Sequence, residues 1–142
     1  MIQSNAIKNT EKFIKNRFKK YPKWSFNDWR VMYEHSLDVK DIAIEIAKKC
    51  GADETVTALA GLLHDIGKTY MASNEVLEKY AHDLNGRVAK PLIKSLQLTE
   101  KQAEDLVTAI GYHKLTKEMK VMMDADAIAF FKDKRLHGLF FE

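Results

Sequence analysis

The sequence predicts an all-α fold, a compact single-domain bundle of about six helices, and three observations carry that expectation. Apolar residues recur at three- and four-residue spacing along nearly the whole chain. Sustained alternation of polar and apolar residues, which a half-buried strand needs, is missing. Only two prolines and six glycines interrupt 142 residues, which leaves room for long helices. A chain of this length can bury roughly two-thirds of its unfolded surface in one core. Residues 1–142 therefore read as one domain, with an N-terminal helix and connector over 1–24, a core over 25–132 and a tail over 133–142.

The first helix spans 2–20, where Ile7, Phe13, Ile14 and Phe18 form an apolar stripe among lysines. Such a stripe also describes a membrane-surface helix, but docking on the domain's own core with the lysines in water is the expectation. A break follows at Tyr21-Pro22-Lys23-Trp24. Ser25 and Asp28 resemble a capping box that opens a helix over about 26–49, and Gly51 ends it. The third helix runs over about 53–66 and stops at Gly67, and the fourth starts near Ser73. Pro91 cannot donate to the Arg87 carbonyl, so a kink or restart is expected between 85 and 91. Thr99 and Gln102 make a second capping box for a helix reaching about Tyr112. The last clear helix covers 117–132, and the Leu139-Phe140-Phe141 ending is expected to tuck against the core or a partner subunit, which allows a homodimer.

Composition narrows the functional classes. Cys50 is the single cysteine, so no intrachain disulfide forms; with no secretory signal ahead of the helices, a cytoplasmic location is expected. Cys50 closes an apolar stripe and reads as a small core residue. No apolar run approaches the ~18 residues of a membrane span. The net charge of +3 leans weakly toward anionic partners. Nucleic acid is not expected, because no basic stripe interleaves with exposed aromatics. The methionines Met119, Met122 and Met123 read as core filling.

Polar residues occupy positions where the helical period calls for apolar ones. On the second helix the stripe is Met32, His35, Val39, Ile42 and Ile46. On the third, His64 shares a face with Ala60, beside Leu59 and Leu63, and Asp65 follows. His82, Gly86, Ala89 and Ile93 repeat the theme, as do Ala103, Leu106, Ile110 and His113, and Met119, Met122, Asp126 and Phe130. Each such histidine alone is most simply a hydrogen-bonded core residue. Five helices aiming a His or Asp inward are another matter, since isolated buried charges are costly unless paired or bound to metal. Imidazole nitrogen mixed with carboxylate oxygen, without thiolate, suits one or two divalent cations among Mn, Mg, Fe, Co, Ni and Zn.

The stretch Ala58-Leu59-Ala60-Gly61-Leu62-Leu63-His64-Asp65-Ile66-Gly67-Lys68 resembles the signature of the HD-domain superfamily of metal-dependent phosphohydrolases. A second pair, His82-Asp83, lacks both the apolar lead-in and the Gly-Lys that follow the first. What makes the likeness specific is the ordered set of His35, then His64-Asp65, then a late aspartate in Asp124-Ala125-Asp126-Ala127-Ile128. The resemblance covers roughly residues 30–130. It implies that His35, His64, Asp65 and Asp126 hold the metal, with Asp126 preferred to Asp124 for its Ala-Asp-x-Ile context. His82 and His113 fall where two-metal members hold a second ion. Lys68 falls where a lysine contacts substrate phosphate, although a lysine past a helix end is equally an exposed surface residue.

The resemblance implies a phosphohydrolase acting on a phosphomonoester or phosphodiester of a nucleotide or similar small metabolite. Asp65 and Lys68 would carry the chemistry with metal-activated water. Arg87, Lys114 and Lys117 are further phosphate contacts, suggested by charge near His82 and His113. Two other readings use the same residues: a di-iron oxygenase of the same fold, and a non-catalytic module that senses a nucleotide.

Overall fold

The computed structural model describes residues 2–21, 28–70 and 74–136, and all its regular elements among them are helical. They are α1 (Ser4–Lys20), α2 (Trp29–Cys50), α3 (Glu54–Leu63), a 3₁₀ turn (Ile66–Thr69), α4 (Asn74–Ser95), α5 (Glu100–Ile110) and α6 (Lys117–Lys132). Among the described residues no helix is long and apolar enough to cross a membrane.

α3 is the hub, because its residues from Thr55 to Leu63 are all buried. A helix that is apolar all round has no face for water, and α1, α2, α5 and α6 all pack on this one. Asp53 starts it by accepting from the Val56 amide at 2.9 Å. α1 lays Ile14 and Phe18 into the same core, as its stripe requires. The Thr99–Gln102 capping box forms with both reciprocal bonds. α2 and α3 approach closely at Gly61, where a Cβ would come within 3.0 Å of the Lys40 backbone nitrogen and 3.1 Å of Val39 Cγ1.

Several boundaries differ from the sequence pattern. Asp28 is itself the N-cap of α2, accepting from the Arg30 amide at 3.1 Å, while Ser25 lies outside the described residues. The same holds for Pro22-Lys23-Trp24, Ser73 and the Leu139-Phe140-Phe141 ending. α3 stops at Leu63 rather than 66: the chain leaves the α-helix at Asp65 (φ −115°, ψ 8°) and tightens into the 3₁₀ turn. α5 stops at Ile110, and Tyr112 takes a left-handed φ of 56°. In α4 the residue outside helical geometry is Tyr80, not one between 85 and 91. Pro91 forfeits one bond to the Arg87 carbonyl, and the buried residues Val88, Ala89, Leu92 and Ile93 keep that stretch helical. The bend falls where α4 meets the 3₁₀ turn: a Cβ on Gly67 would collide with the Ala81 carbonyl and the Asn85 amide.

Three burial expectations are also corrected. Cys50 is exposed, because it is the last residue of α2 and projects past the packed stripe, which ends at Ala47. That stripe leans toward Ala43 and Ala47, leaving Ile42 and Ile46 partly buried. Met119 and Met122 fill the core, but Met123, one residue round the helix, is exposed.

The contact at Gly61 yields a test. Gly61→Ala is expected to destabilise the protein by about 1–3 kcal/mol through overpacking, outweighing the ~1 kcal/mol that alanine gains in helix propensity. Urea unfolding should show a lower midpoint at unchanged slope; an equal or higher midpoint would mean that α2 and α3 do not meet there.

Candidate metal centre

Helix packing brings three side chains from distant parts of the sequence to one point. His35 sits on the buried stripe of α2 between Met32 and Val39, facing α6, where Asp126 follows Met122 by one turn. His64 caps α3, and its ring lies edge-on to that of His35 with centroids 5.3 Å apart. One ligand atom each from His35, His64 and Asp126 lie within 4.8 Å of one another. His35 Nε2 is 2.9 Å from Asp126 Oδ1, and His64 Nε2 is 3.2 Å from the same oxygen. Asp65 joins through His64, its Oδ2 standing 3.0 Å from Nε2. Lys68 Nζ, one turn along the 3₁₀ segment, lies 3.4 Å from Asp65 Oδ1.

The tautomer of His64 is set by its partner. Nδ1 is 2.7 Å from the Gly61 carbonyl, which can only accept, so Nδ1 carries the proton. In the neutral ring Nε2 then presents a lone pair. It is buried and makes no hydrogen bond, although oxygens of Asp65 and Asp126 are within 3.2 Å; they stand close enough for Coulombic attraction but off the line of an N–H. A lone pair facing two carboxylates is repulsive unless positive charge lies among them. That charge is either a proton on Nε2 or a cation, and the donor set of two imidazoles and two carboxylates fits a divalent metal.

The titration behaviour follows from this crowding. Burial opposes a charge on His64, but Asp65 and Asp126 outweigh it and hold its pKa well above the ordinary value. Burial likewise raises both carboxylates; the charges of His64 and Lys68 overcome this for Asp65, and the bond to His35 together with the adjacent His64 overcomes it for Asp126, so both stay far below the usual range. Burial, with the nearby charges of Asp126 and Asp65, pushes the Tyr112 phenol up to about 12.

The remaining candidates stand elsewhere. His82 is exposed rather than inward, its ring stacked on Tyr112 at 3.8 Å. His113 lies beyond the end of α5, 55% exposed, with Nε2 3.9 Å from Asp83 Oδ1. Neither joins the group of His35, His64 and Asp126. Asp124 is exposed on α6, a position two residues from Asp126 and hence on another face. Arg87 donates to the Tyr70 hydroxyl at 3.2 Å, Lys117 donates to the Cys50 carbonyl at 3.3 Å, and Lys114 is exposed. Tyr112 was not singled out by the sequence, since nothing in the helical period announces a left-handed residue behind Gly111. Asn85, fully buried beneath the His64 turn, also escaped the pattern because its neighbours Leu84, Val88 and Ala89 already account for the apolar face of α4.

A family model for the HD domain matches residues 32–135. The chain belongs to the HD domain family, whose members are in general metal-dependent phosphohydrolases that bind divalent metals. It is 30% identical over 108 residues to an uncharacterized protein of Methanocaldococcus jannaschii, a match covering 74% of this chain and 23% of that protein. Over 34 residues it is 56% identical to ribonuclease Y of Campylobacter jejuni and of Campylobacter concisus, covering 24% of this chain and 7% of those proteins. The chain thus spans under a quarter of the length of these relatives. No solved structure gives a significant match.

The charge balance predicts how metal binding depends on pH. In the metal-free protein, His64 is protonated well above its ordinary pKa, and this contributes stability that is present below the unfolded value of ~6.5 and is lost as pH rises through the raised folded value. A cation must displace that proton, so the stabilisation by Mn²⁺ should grow with pH across the same window while Asp65 and Asp126 stay ionised. At about 100 times its Kd, Mn²⁺ is expected to add about 2.7 kcal/mol. Thermal melts with and without Mn²⁺ from about pH 6 to about pH 8.5 check this; a shift that is absent, or equal at every pH, contradicts it.

Proposed function

We propose that this chain is a phosphohydrolase whose substrate is a phosphomonoester or phosphodiester of a nucleotide or similar small metabolite. The observation that carries the reading is the unpartnered Nε2 of His64, aimed into the space it shares with two carboxylates. His35, His64, Asp65 and Asp126 would hold the cation. When bound, it supplies Lewis acidity toward a phosphate oxygen and lowers the pKa of water for in-line attack.

The other roles belong to the protein. Asp65 stays ionised, so one of its oxygens can accept a hydrogen bond from the attacking water. Lys68, one-third exposed at the rim, places positive charge where a substrate phosphate would arrive. Tyr112 remains a neutral phenol near the two carboxylates and can donate without adding charge. The likeness to ribonuclease Y supports including phosphodiesters among the candidates, and the Arg87, Lys114, His82 and His113 side chains would line the substrate's approach rather than the buried centre.

The test is phosphate release from a panel of phosphorylated metabolites and short diesters with Mn²⁺, Mg²⁺, Co²⁺ or Ni²⁺. Asp65→Ala should lower turnover at least about 100-fold, since even residues supporting a metal ligand account for about 10–100-fold. Lys68→Ala should lower kcat/KM roughly 10- to 100-fold, less than a fully buried donor. Turnover unchanged in Asp65→Ala, or tightly bound iron with dioxygen uptake and no phosphate release, would overturn the proposal.

A further inference from the structure

Asn85 is 1% exposed, and its side-chain amide is fully engaged by three backbone groups. Oδ1 accepts from the Gly67 amide at 2.6 Å, while Nδ2 donates to the His64 carbonyl at 2.6 Å and to the Ile110 carbonyl at 2.9 Å. One N–H and two carbonyls as partners fix the orientation of the amide. The His64 carbonyl belongs to the last turn of α3 and has no helical partner of its own, so without Asn85 it would be an orphan in the core. The two groups that bracket Asp65 and Ile66 are thus bonded to a single side chain. Gly67 supplies the close approach, since a Cβ there would fall 2.9 Å from Asn85 Oδ1. The third bond ties the same turn to the end of α5, two residues ahead of Tyr112.

We propose that Asn85 is a positioning residue that holds the His64–Asp65 turn in its ligating geometry, an inference that rests on the reading of His64 and Asp65 as metal ligands. The amide acts on the backbone at both ends of the turn, so it fixes the direction in which His64 Nε2 and the Asp65 carboxylate project. A side chain that merely filled core volume would affect stability alone. A positioning side chain makes metal affinity fall by more than the loss of stability accounts for.

Three measurements separate these roles in the full chain: the Mn²⁺ dissociation constant by calorimetry, the Tm of the metal-free protein, and hydrogen exchange at the Gly67 amide. Asn85→Leu keeps the volume and removes the three bonds. It is expected to weaken Mn²⁺ binding about 10- to 100-fold and to speed exchange at Gly67. Leu92→Ala, a core cavity two turns away on the same helix, should lower Tm but change Mn²⁺ affinity no more than about twofold. Should Asn85→Leu not fold, Asn85→Asp keeps the acceptor for Gly67, loses both donors and is read for Mn²⁺ affinity in the same way. The proposal is overturned if the Asn85 variant loses no more Mn²⁺ affinity than Leu92→Ala, or if exchange at Gly67 in Asn85→Leu is unchanged. If the wild-type protein takes up no Mn²⁺, the metal assignment fails separately, and exchange at Gly67 still decides whether Asn85 fixes the turn.

Discussion

Lewis-basic atoms of His64, Asp65 and Asp126 share one half-buried space, and positive charge among them is the condition on which the arrangement depends. Bringing two carboxylates beside a buried imidazole removes them from water and sets like charges together, a cost that helix packing alone does not offset. A proton on His64 meets the need, and a divalent cation bound there would meet it in the proton's place. The two would be interchangeable because the Nδ1 bond to the Gly61 carbonyl leaves Nε2 as the variable position. The same bond couples site to fold, since Gly61 is a point of close approach between α3 and the Val39–Lys40 stretch of α2.

The fold serves this centre by ending a helix early. If α3 continued to 66, Asp65 would sit about 100° around the helix from His64, and the two side chains would diverge. The departure at Asp65 and the 3₁₀ turn beyond it set both side chains on the same side and bring Lys68 back within 3.4 Å of Asp65. Arg17 secures the far end of that turn, donating to Thr69 Oγ1 at 3.0 Å and to the Thr69 carbonyl at 2.8 Å. The N-terminal helix therefore contributes to the rigidity of the turn as well as to the core.

What the sequence made legible is what period and spacing encode. His35 and Asp126 occupy apolar stripes of regular helices, so their inward direction follows from their neighbours and the 3.6-residue repeat. His64-Asp65 was recognisable from its apolar lead-in and following Gly-Lys. The all-α architecture was legible for the same reason, and so were both ends of α6. Legibility fails where direction is set by tertiary contact. His82 continues the stripe of Ala89 and Ile93 on paper, yet the face that α4 buries at this end is that of Leu84, Asn85, Val88 and Ala89, which leaves His82 exposed with its ring on Tyr112. His113 lies past the end of α5, where helical phase no longer applies. The bend in α4 follows contact with Gly67 rather than the proline rule, because burial on both sides of Pro91 offsets one lost hydrogen bond.

The placement of Tyr112 links the buried centre to these outer residues. Its phenol is close enough to Asp65 and Asp126 for their charges to resist its ionisation, and its ring carries His82 on one face. Its left-handed backbone is supported by the His113 amide, which donates to the Thr108 carbonyl at 3.1 Å. The His113 ring folds back over Gly111, where a Cβ would meet it at 2.6 Å. A side chain at Gly111 would therefore turn the exposed His113 ring aside. His35 and Asp126 are held by the packing of α2 and α6 and His64 by the end of α3, whereas Tyr112, His113 and Lys114 lie on the short connection between α5 and α6.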